Sequence, residues 1–532
     1  MQLGKKDLLF SILIILSASF FSLSYNFETR GLIEGTIQSG TINYPEQFNL
    51  FRVVSINSWT LPIQIITILL KINFAPLIIS KIILFISTLM FFTGIYLTTK
   101  SLTSSYLFAF LVSFLTLLLK KNFGHLDYPT MIFTEHTNGL MAQALSTLVF
   151  GFLINNNLRL GFFFSILLLA THLTVGLWVN FIIFITLILR FKKYKNIVLN
   201  KKNFFFTFVS LIIVLGSFFY HFEQRIPLNF IYDDETYRTY MNIWEDHRSA
   251  WGLYSNWINY EYITKTFILI LLIFLLLRVK FNKNYSDFGI SVLLLSCILS
   301  FFLYITYKYF YFLFPDIIVR TMPTRFFLLH SVIGWPVIFS IVYLFVKIIV
   351  LKLNINIKYS YFFFLLILII NLLQHNFNFI ERYQGIKTNL LISNKNNIEN
   401  QFWNKIKTID LNGFYLTGGP SNVCQKTVAV ARKPMFTCAE ALNNIPYYPH
   451  IAVPAKKIVE EVFNIPFNNP KVKHMGGISE SDLKSSYENK SYKNWIDLKN
   501  KFNITALIVP KKWKINLKVF ISSDIYSFYV IR

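Results

Sequence analysis

Long apolar runs fill the first 375 positions of the chain and determine its predicted architecture. Their lengths are close to the roughly 17–25 residues with which an α-helix crosses a bilayer. They therefore predict a polytopic α-helical membrane protein with about 10–12 transmembrane helices. The runs lie at Leu8 to Tyr25 and at about 75–97, 104–119, 138–154, 160–189, 203–220, 264–278, 288–310, 326–350 and 359–374.

A different pattern begins after Gln374, where apolar runs shrink to four or five residues and Asn, Lys, Pro and Gly become frequent. Short β-rich stretches there alternate with helical patterns. This alternation predicts a soluble α/β domain at 376–532, following a transmembrane domain at 1–375. The predicted strands are Gly413 to Leu416, Ala506 to Val509 and Tyr526 to Ile531, and the predicted helices are Ala455 to Phe463 and Lys493 to Phe502.

Composition and charge agree with a membrane protein. Of 532 residues, 54% are hydrophobic and 14% charged, and the mean hydropathy is +0.49, which excludes a soluble globular protein. The net charge is +25, but the basic residues cluster between apolar runs, which indicates membrane topology and contact with membrane lipids rather than nucleic-acid binding. With three cysteines and no CxxC motif, neither a disulfide framework nor structural zinc is expected.

The basic clusters also predict an orientation, because Lys and Arg translocate poorly. The clusters are Arg190 to Lys202, Arg278 to Lys283 and Lys347 to Lys358. If they are cytoplasmic, loops 26–58, 221–262 and 311–325 and the C-terminal domain are extracytoplasmic, in a multi-pass protein of the inner or plasma membrane. No A-x-A-like cleavage site follows the first apolar run, so we interpret it as an uncleaved span with its N-terminus inside.

The short apolar stretch Trp59 to Leu70 leaves two topologies open. If it lies along the outer surface, loop 120–137 is external and 160–189 must be two short helices that meet near Thr171 and His172. If it spans the membrane, loop 120–137 is cytoplasmic and 160–189 is one long helix. We favour the first topology, because a 30-residue span with a buried histidine at its middle is costly.

Charged and polar residues collect in the four predicted external loops. Any one of them alone is most simply a solvated loop charge. Four such loops over one helical bundle instead indicate the walls of a polar cavity. The candidates are Glu28, Arg30, Glu34 and Glu46; Asp127, Glu135 and His136; Asp233, Asp234, Glu245 and Arg248; and Asp316, Arg320 and Arg325.

His172 stands alone between apolar stretches, in the segment Leu167 to Trp178. One interpretation is a histidine bonded to a helix carbonyl as part of the packing, and the other is a cavity-lining group that contacts the substrate. Arg325 at the predicted outer mouth of a span has a similar pair of interpretations, interfacial anchoring or phosphate binding.

The order of these features resembles the GT-C superfamily, membrane glycosyltransferases that take sugars from polyprenyl-phosphate carriers. The resemblance covers the layout of residues 1–375. It is carried locally by the segment Phe27 to Gly40, by Tyr44-Pro-Glu-Gln, by the apolar stretch Trp59 to Leu70 and by the segment Tyr128 to Thr137. The family commonly places Asp, often Asp-Glu, at the start of the first loop, where this chain has Glu28 and then Glu34.

The resemblance implies glycosyl transfer from a lipid-linked sugar donor to a glycan, lipid or protein acceptor in cell-envelope synthesis. A carboxylate would deprotonate the acceptor, and cations or a divalent metal such as Mg²⁺ or Mn²⁺ would hold the departing phosphate. Its implied catalytic residues are Glu28, Glu34, Asp127 and Glu135. Its implied substrate-binding residues are Arg30, His136, His172, Arg248, Arg320 and Arg325, with Asp233 and Asp234 as metal ligands.

Three other functions fit part of the pattern. A lipid-linked-sugar transporter would show inverted repeats and charges at mid-span, and no repeat is visible. An O-antigen-ligase or polymerase-like enzyme would use a large late external loop, which 221–262 resembles. A non-catalytic membrane scaffold would use the C-terminal domain to bind a partner.

Cys424 and Cys438 are the only cysteines after the last predicted span. If their domain faces an oxidising compartment, the two are expected to form a disulfide. The alternative is two independent buried thiols.

Overall fold

The computed structural model describes residues 5–23, 31–118, 138–245, 260–279, 285–313, 332–353, 393–468 and 477–532. A helical bundle is followed by a domain built on a five-stranded sheet. The bundle and its loops contain α1 (Lys5–Leu23), α2 (Leu32–Gln38), α3 (Leu50–Asn57), α4 (Leu61–Lys71), α5 (Pro76–Thr103), α6 (Tyr106–Leu118), α7 (Asn138–Ile154), α8 (Leu158–Thr171), α9 (Leu173–Leu189), α10 (Phe191–Val198), α11 (Lys201–Gln224), α12 (Asp234–Thr239), α13 (Tyr260–Val279), α14 (Asp287–Phe310) and α15 (Gly334–Lys352).

Several of these helices are long and apolar enough to cross a membrane. Within the described residues, α1, α5, α11 and α15 meet this condition singly, and the bent pairs α3–α4 and α9–α10 meet it jointly. Four to six membrane-spanning helices are thus supported by length and composition, and a total of 10–12 remains a prediction. The predicted span at 359–374 lies outside the described residues.

Contacts between helix termini define two ends of the bundle. Lys100, late in α5, forms an ion pair with Asp7 at the start of α1 (2.7 Å), whereas Lys81, early in α5, donates to the Ser22 carbonyl at the end of α1 (3.3 Å). These two helices are therefore antiparallel. The end that holds Asp7 and Lys100 is called the basic end below.

The same contacts place other helix termini at the basic end. Ser101 donates to the Asn155 side chain after α7 (2.7 Å), and Ser286 before α14 donates its N–H to the Ile154 carbonyl (2.8 Å). Lys193 on α10 forms an ion pair with Asp287 (2.9 Å). Most of the predicted cytoplasmic cluster Arg190 to Lys202 therefore lies at the end of the bundle where α1 begins.

Residues 31–75 remain at the opposite end, because α1 ends and α5 begins there. Helix α4 packs on α2, where Ile66 lies against Gly31 and Gly35, and Gln64 donates to the Ser217 carbonyl late in α11 (2.8 Å). Helices α3 and α4 are bent by 108° relative to each other. The stretch Trp59 to Leu70 thus begins and ends at the same end of the bundle, and its position relative to a membrane stays a prediction.

The region 160–189 is a helical hairpin, as the surface interpretation of Trp59 to Leu70 requires. Helix α8 ends at Thr171 and α9 begins at Leu173. His172 between them has extended backbone angles (φ −158°, ψ 103°). The Asn180 side chain donates to the Ser165 carbonyl across the hairpin (2.6 Å), which shows that the two helices run antiparallel and bring the chain back to the basic end.

Glycines allow close helix contacts in the bundle. A Cβ atom built on Gly151 of α7 would lie 2.6 Å from the carbonyl oxygen of Gly94 on α5. Small residues permit this approach, and close packing rather than burial from water is what holds helices together in lipid. By contrast, a Cβ atom built on Gly216 of α11 would have no neighbour within 4 Å.

The C-terminal domain is a mixed sheet with helices on both faces. Its strand order is β2-β1-β3-β5-β4, with β1 parallel to β2 and β3, and β5 antiparallel to β3 and β4. One core contains Tyr415 and Phe528, and the other contains Leu416 and Tyr529, so alternate residues face opposite layers. The elements are α16 (Ser393–Thr408), β1 (Phe414–Thr417), α17 (Ser421–Ala429), β2 (Met435–Thr437), α18 (Ala452–Glu461), α19 (Glu480–Glu488), α20 (Tyr492–Phe502), β3 (Ile504–Pro510), β4 (Val519–Ser522) and β5 (Tyr526–Val530).

Helix α3 attaches this domain to the bundle. The buried Asn49 caps α3 by accepting from the Arg52 N–H (2.7 Å), while its amide donates to the carbonyls of Met435 and Phe436 on the edge strand β2 (3.2 and 3.0 Å). At the other end of α3, the Asn57 carbonyl accepts a hydrogen bond from the Tyr448 hydroxyl (2.8 Å). The edge strand is thus covered by the loop rather than exposed.

A substitution of Asn49 tests this attachment. Asn49→Asp keeps the oxygen that caps α3 but replaces the amide donor with a carboxylate facing two carbonyl groups. We expect a loss of about 1–3 kcal/mol in the free energy of unfolding, the usual cost of unsatisfied buried groups. Thermal unfolding in detergent, followed by tryptophan fluorescence, measures it.

Asn200→Asp is the matched control, because Asn200 also caps a helix through its side-chain oxygen and is exposed. Its unfolding temperature should stay within 1 °C or so of wild type. Equal losses in the two variants would show that the contacts of Asn49 with β2 contribute nothing.

Candidate functional site

A cleft of about 360 Å³ lies between the first loop and the C-terminal domain. One wall comes from α2 and α3, and the other from the loop after β1, the start of α17 and residues after β2. The cleft is therefore at the end of the bundle opposite the basic end. Its lining residues are Gly31, Ile33, Glu34, Phe51, Ser55, Thr417, Gly419, Pro420, Cys424, Gln425, Cys438, Ala441, Asn443, Asn444, Ile478, Glu480 and Leu483.

Glu34 is a carboxylate on the bundle side of this cleft. Helix α2 begins after Gly31, whose backbone φ of 99° would be strained in a residue with a side chain. Gly35 packs against Ile66 of α4. These contacts fix α2 and place half-buried Glu34 in its first turn, where the helix dipole stabilises a negative charge. Burial, with a smaller contribution from the Glu34 charge, raises the pKa of the Tyr448 hydroxyl, so the two groups are neighbours.

Amide side chains supply most of the polar surface on the other wall, from Gln425, Asn443 and Asn444. Gln425 is only 3% exposed, and its Oε1 atom accepts no hydrogen bond from any described residue. A buried amide oxygen without a donor costs stability. Because Gln425 lines the cleft, its side chain would lie beside a ligand bound there.

The charged groups among the described lining residues are acidic. Glu34 and Glu480 face the cleft, and no Lys or Arg is among its lining residues in the described part of the chain. Amide and carboxylate groups together suit a ligand with many hydroxyl groups, or an amine, since both kinds of group accept hydrogen bonds from them.

Cys424 and Cys438 form a disulfide in the wall of the cleft, with Cα atoms 6.1 Å apart. The bond ties the first turns of α17 to the residue after β2. It therefore holds Gln425 and the segment before Asn443 in one unit. Cys297, by contrast, is a free thiol buried in α14.

The two predicted metal ligands have other partners. Asp233 caps α12 by accepting from the Thr236 N–H (3.0 Å) and hydroxyl, and these hydrogen bonds lower the pKa of its carboxyl group. Asp234 pairs with Arg238 (2.6 Å). The metal-binding role of both carboxylates stays a prediction; within the described residues, no group of three or more His, Cys, Asp or Glu that could hold a metal occurs.

Of the remaining sequence candidates within the described residues, none lines the cleft. His172 is the turn residue of the α8–α9 hairpin, Glu46 is exposed, and the buried Glu245 accepts from the Tyr240 hydroxyl (3.2 Å). Nine candidates lie outside the described residues, and their roles stay predictions. They are Glu28, Arg30, Asp127, Glu135, His136, Arg248, Asp316, Arg320 and Arg325.

Sequence reasoning missed the domain side of the cleft. Gln425, Asn443, Asn444 and Glu480 lie in unremarkable polar stretches, and only the packing of α2 and α3 on the domain brings them near Glu34. The predicted pair Cys424 and Cys438, which lies in the same wall, was the available signal. Comparison of the chain with protein-family models and with curated protein sequences finds no match.

The unsatisfied amide of Gln425 generates a prediction about stability. Gln425→Met removes the buried polar group and keeps the side-chain length. We expect the free energy of unfolding to rise by about 1 kcal/mol, because an unpaired buried acceptor is lost. Chemical denaturation of the purified protein without ligand measures this change.

Thr427→Val is the control on the same helix. Thr427 is also buried, but its hydroxyl donates to the Val423 carbonyl (2.7 Å), so this variant should gain no stability. A Gln425→Met protein less stable than wild type would contradict the interpretation that its buried amide oxygen is unpaired.

Proposed function

We propose that this chain is an integral membrane glycosyltransferase that works in the cleft between its first loop and its C-terminal domain. The observation that carries the proposal is the pairing of the Glu34 carboxylate with an amide-lined space of about 360 Å³. This is a volume in the range of small-molecule sites. The donor would be a polyprenyl-phosphate-linked sugar, as the GT-C-like layout of the chain implies.

In the proposed reaction Glu34 is the general base. It removes a proton from a hydroxyl or amine of the acceptor, whose oxygen or nitrogen attacks the anomeric carbon of the donor sugar. The bond between that carbon and the phosphate oxygen breaks, and the electron pair leaves with the lipid phosphate. The proton remains on Glu34 and passes to solvent, so no cofactor is consumed.

In this proposal the sugar and the phosphate of the donor bind in two different places. Sugar and acceptor hydroxyls fit against Gln425, Asn443 and Asn444, whereas the phosphate needs cations that the described lining lacks. The phosphate would lie toward the bilayer, where Arg30, Arg248, Arg320 and Arg325 are the sequence-based candidates. The lipid tail would then stay in the membrane while the reacting sugar reaches water.

The proposal requires the cleft to face the extracytoplasmic side. The basic end is its opposite, and excess Lys and Arg mark cytoplasmic ends of membrane proteins. A disulfide in the cleft wall suits an oxidising compartment.

Replacement of Glu34 tests the chemistry. The protein is reconstituted in vesicles with polyprenyl-phosphate sugars of several kinds and candidate acceptors, and sugar transfer is measured by mass spectrometry. Glu34→Gln should reduce the transfer rate by about 10²–10⁴-fold, the usual contribution of a general base, with no loss of folded protein.

Glu46→Gln is the matched control, since Glu46 is an exposed carboxylate of the same loop and should keep full activity. Full activity in Glu34→Gln would reject Glu34 as the base and leave Glu28 or Asp127. A wild-type protein that transfers no sugar from any carrier but binds a protein partner would favour the scaffold function.

Cysteine labelling in intact cells tests the orientation. Ile231, at the cleft end, is 87% exposed, and Leu199, after α10 at the basic end, is 70% exposed. Ile231→Cys should react with a membrane-impermeant maleimide from outside, and Leu199→Cys only after permeabilisation. The reverse pattern would contradict the proposed orientation. Background labelling should be low, because Cys297 is buried and the other two cysteines are bonded to each other.

A further inference from the structure

A second cavity lies at the basic end, between α9 and α14, far along the bundle from the cleft. Its volume is about 170 Å³. It is lined by the last turns of α9 and the second and third turns of α14. Arg190 is its one charged lining residue, and the rest of its surface is mainly apolar. The lining residues are Thr186, Leu189, Arg190, Ser291, Leu294, Leu295 and Ile298.

The polar lining groups other than Arg190 already have partners. The Thr186 hydroxyl donates to the Ile182 carbonyl (2.8 Å), and the Ser291 hydroxyl lies 3.2 Å from the Tyr194 hydroxyl. The cavity therefore offers a hydrocarbon surface along most of its length. A sugar or a cluster of water molecules would find few hydrogen-bonding groups there.

Arg190 stands at the mouth of this cavity with most of its donors available. Its guanidinium makes one long hydrogen bond, to the Ser291 hydroxyl (3.4 Å), and pairs with no carboxylate among the described residues. The nearby cation Lys193, by contrast, is paired with Asp287 (2.9 Å). Arg190 thus remains able to hold an anion through its forked N–H groups.

The local geometry places Arg190 at a membrane surface. Helix α10 is bent by 118° from α9 directly after Arg190, as expected for a helix that leaves a span and runs along the interface. Ile188, Leu189 and Phe191 around it are 53%, 69% and 53% exposed. On α10, Tyr194 is buried against Phe288, and Lys192 and Lys195 are exposed.

We propose that this cavity binds one anionic phospholipid, with its phosphate on Arg190 and part of one acyl chain between α9 and α14. Charge identifies the occupant: the segment 186–202 carries six basic residues and no acidic one, and Asp287 is the one acidic residue of 285–298. Basic pockets between helices on the cytoplasmic side are where anionic lipid headgroups bind. A zwitterionic lipid would leave the excess positive charge unbalanced.

Native mass spectrometry of the purified full chain tests the proposal. The protein is titrated with phosphatidylglycerol and with phosphatidylcholine of identical acyl chains. Wild type should bind the first phosphatidylglycerol molecule more tightly than phosphatidylcholine. Arg190→Gln should weaken phosphatidylglycerol binding about fivefold, the effect of one basic residue near an anionic headgroup, and leave phosphatidylcholine binding unchanged.

Two controls separate a built site from general surface charge. Arg278→Gln removes an arginine from the last turn of α13, which does not line the cavity, and should bind phosphatidylglycerol as wild type does. Leu294→Trp fills the cavity and should weaken both lipids, whereas Leu271→Trp, at a position 53% exposed on α13, should weaken neither.

Three results would overturn the proposal. They are equal binding of the two lipids by wild type, equal losses in Arg190→Gln and Arg278→Gln, or displacement of the lipid by soluble glycerol phosphate at the lipid's own concentration. The last result would show that the anion alone is bound and that the acyl groove contributes nothing. None of these outcomes depends on sugar transfer, so this experiment tests the lipid site independently of the proposed function.

Discussion

The hydrogen bonds of Asn57 hold together the first loop, the end of α11 and the C-terminal domain. Its carbonyl accepts from the His221 ring at the end of α11 (3.0 Å) and from the Tyr448 hydroxyl of the C-terminal domain (2.8 Å). Its side chain both donates to the Ile226 carbonyl and accepts from the Ile226 N–H. One buried residue thus joins the first loop, the second half of the bundle and the domain, and the relative positions of Glu34 and Gln425 depend on this joint.

A rigid joint is needed because the two walls of the cleft are distant in sequence. Buried aromatic packing reinforces it: the Trp244 ring stacks on Phe467 (5.4 Å) and donates to its carbonyl (2.8 Å). The fold also contains a destabilising feature in the cleft wall, the amide oxygen of Gln425, which accepts no hydrogen bond from any described residue. An unpaired buried acceptor lowers stability, and departures from full pairing are expected at functional or strained sites.

Residue patterns were sufficient for the elements but not for the cleft. The predicted strands and helices after Gln374 fall on β1, β3, β5, α18 and α20, because continuous apolar runs mark strands buried on both faces. The break at His172 was also predictable, since 30 apolar residues exceed one span. The sequence pattern did not predict the short strands β2 and β4, nor the lining residues Gln425 and Glu480. Their positions depend on long-range packing, which hydrophobic periodicity does not encode. Capping by Asp233 depends on local geometry, and its role as a metal ligand stays a prediction.

Under the proposed function, there is a physical reason why the sugar-binding groups come from the domain and not from the bundle. Recognition of a sugar requires many hydrogen-bonding groups, and such groups are expensive within a hydrocarbon core, where no water satisfies them in the empty state. The described bundle helices accordingly keep their Ser and Thr hydroxyls mostly bonded to their own backbone, as in Thr98 and Thr147. The amides that face the cleft come from the domain, on the water side of the joint. The tail of a lipid-linked donor would then stay in the bilayer, and only its sugar would contact these groups. The position of the joint at Asn57 would therefore determine the distance between the membrane surface and the bound sugar.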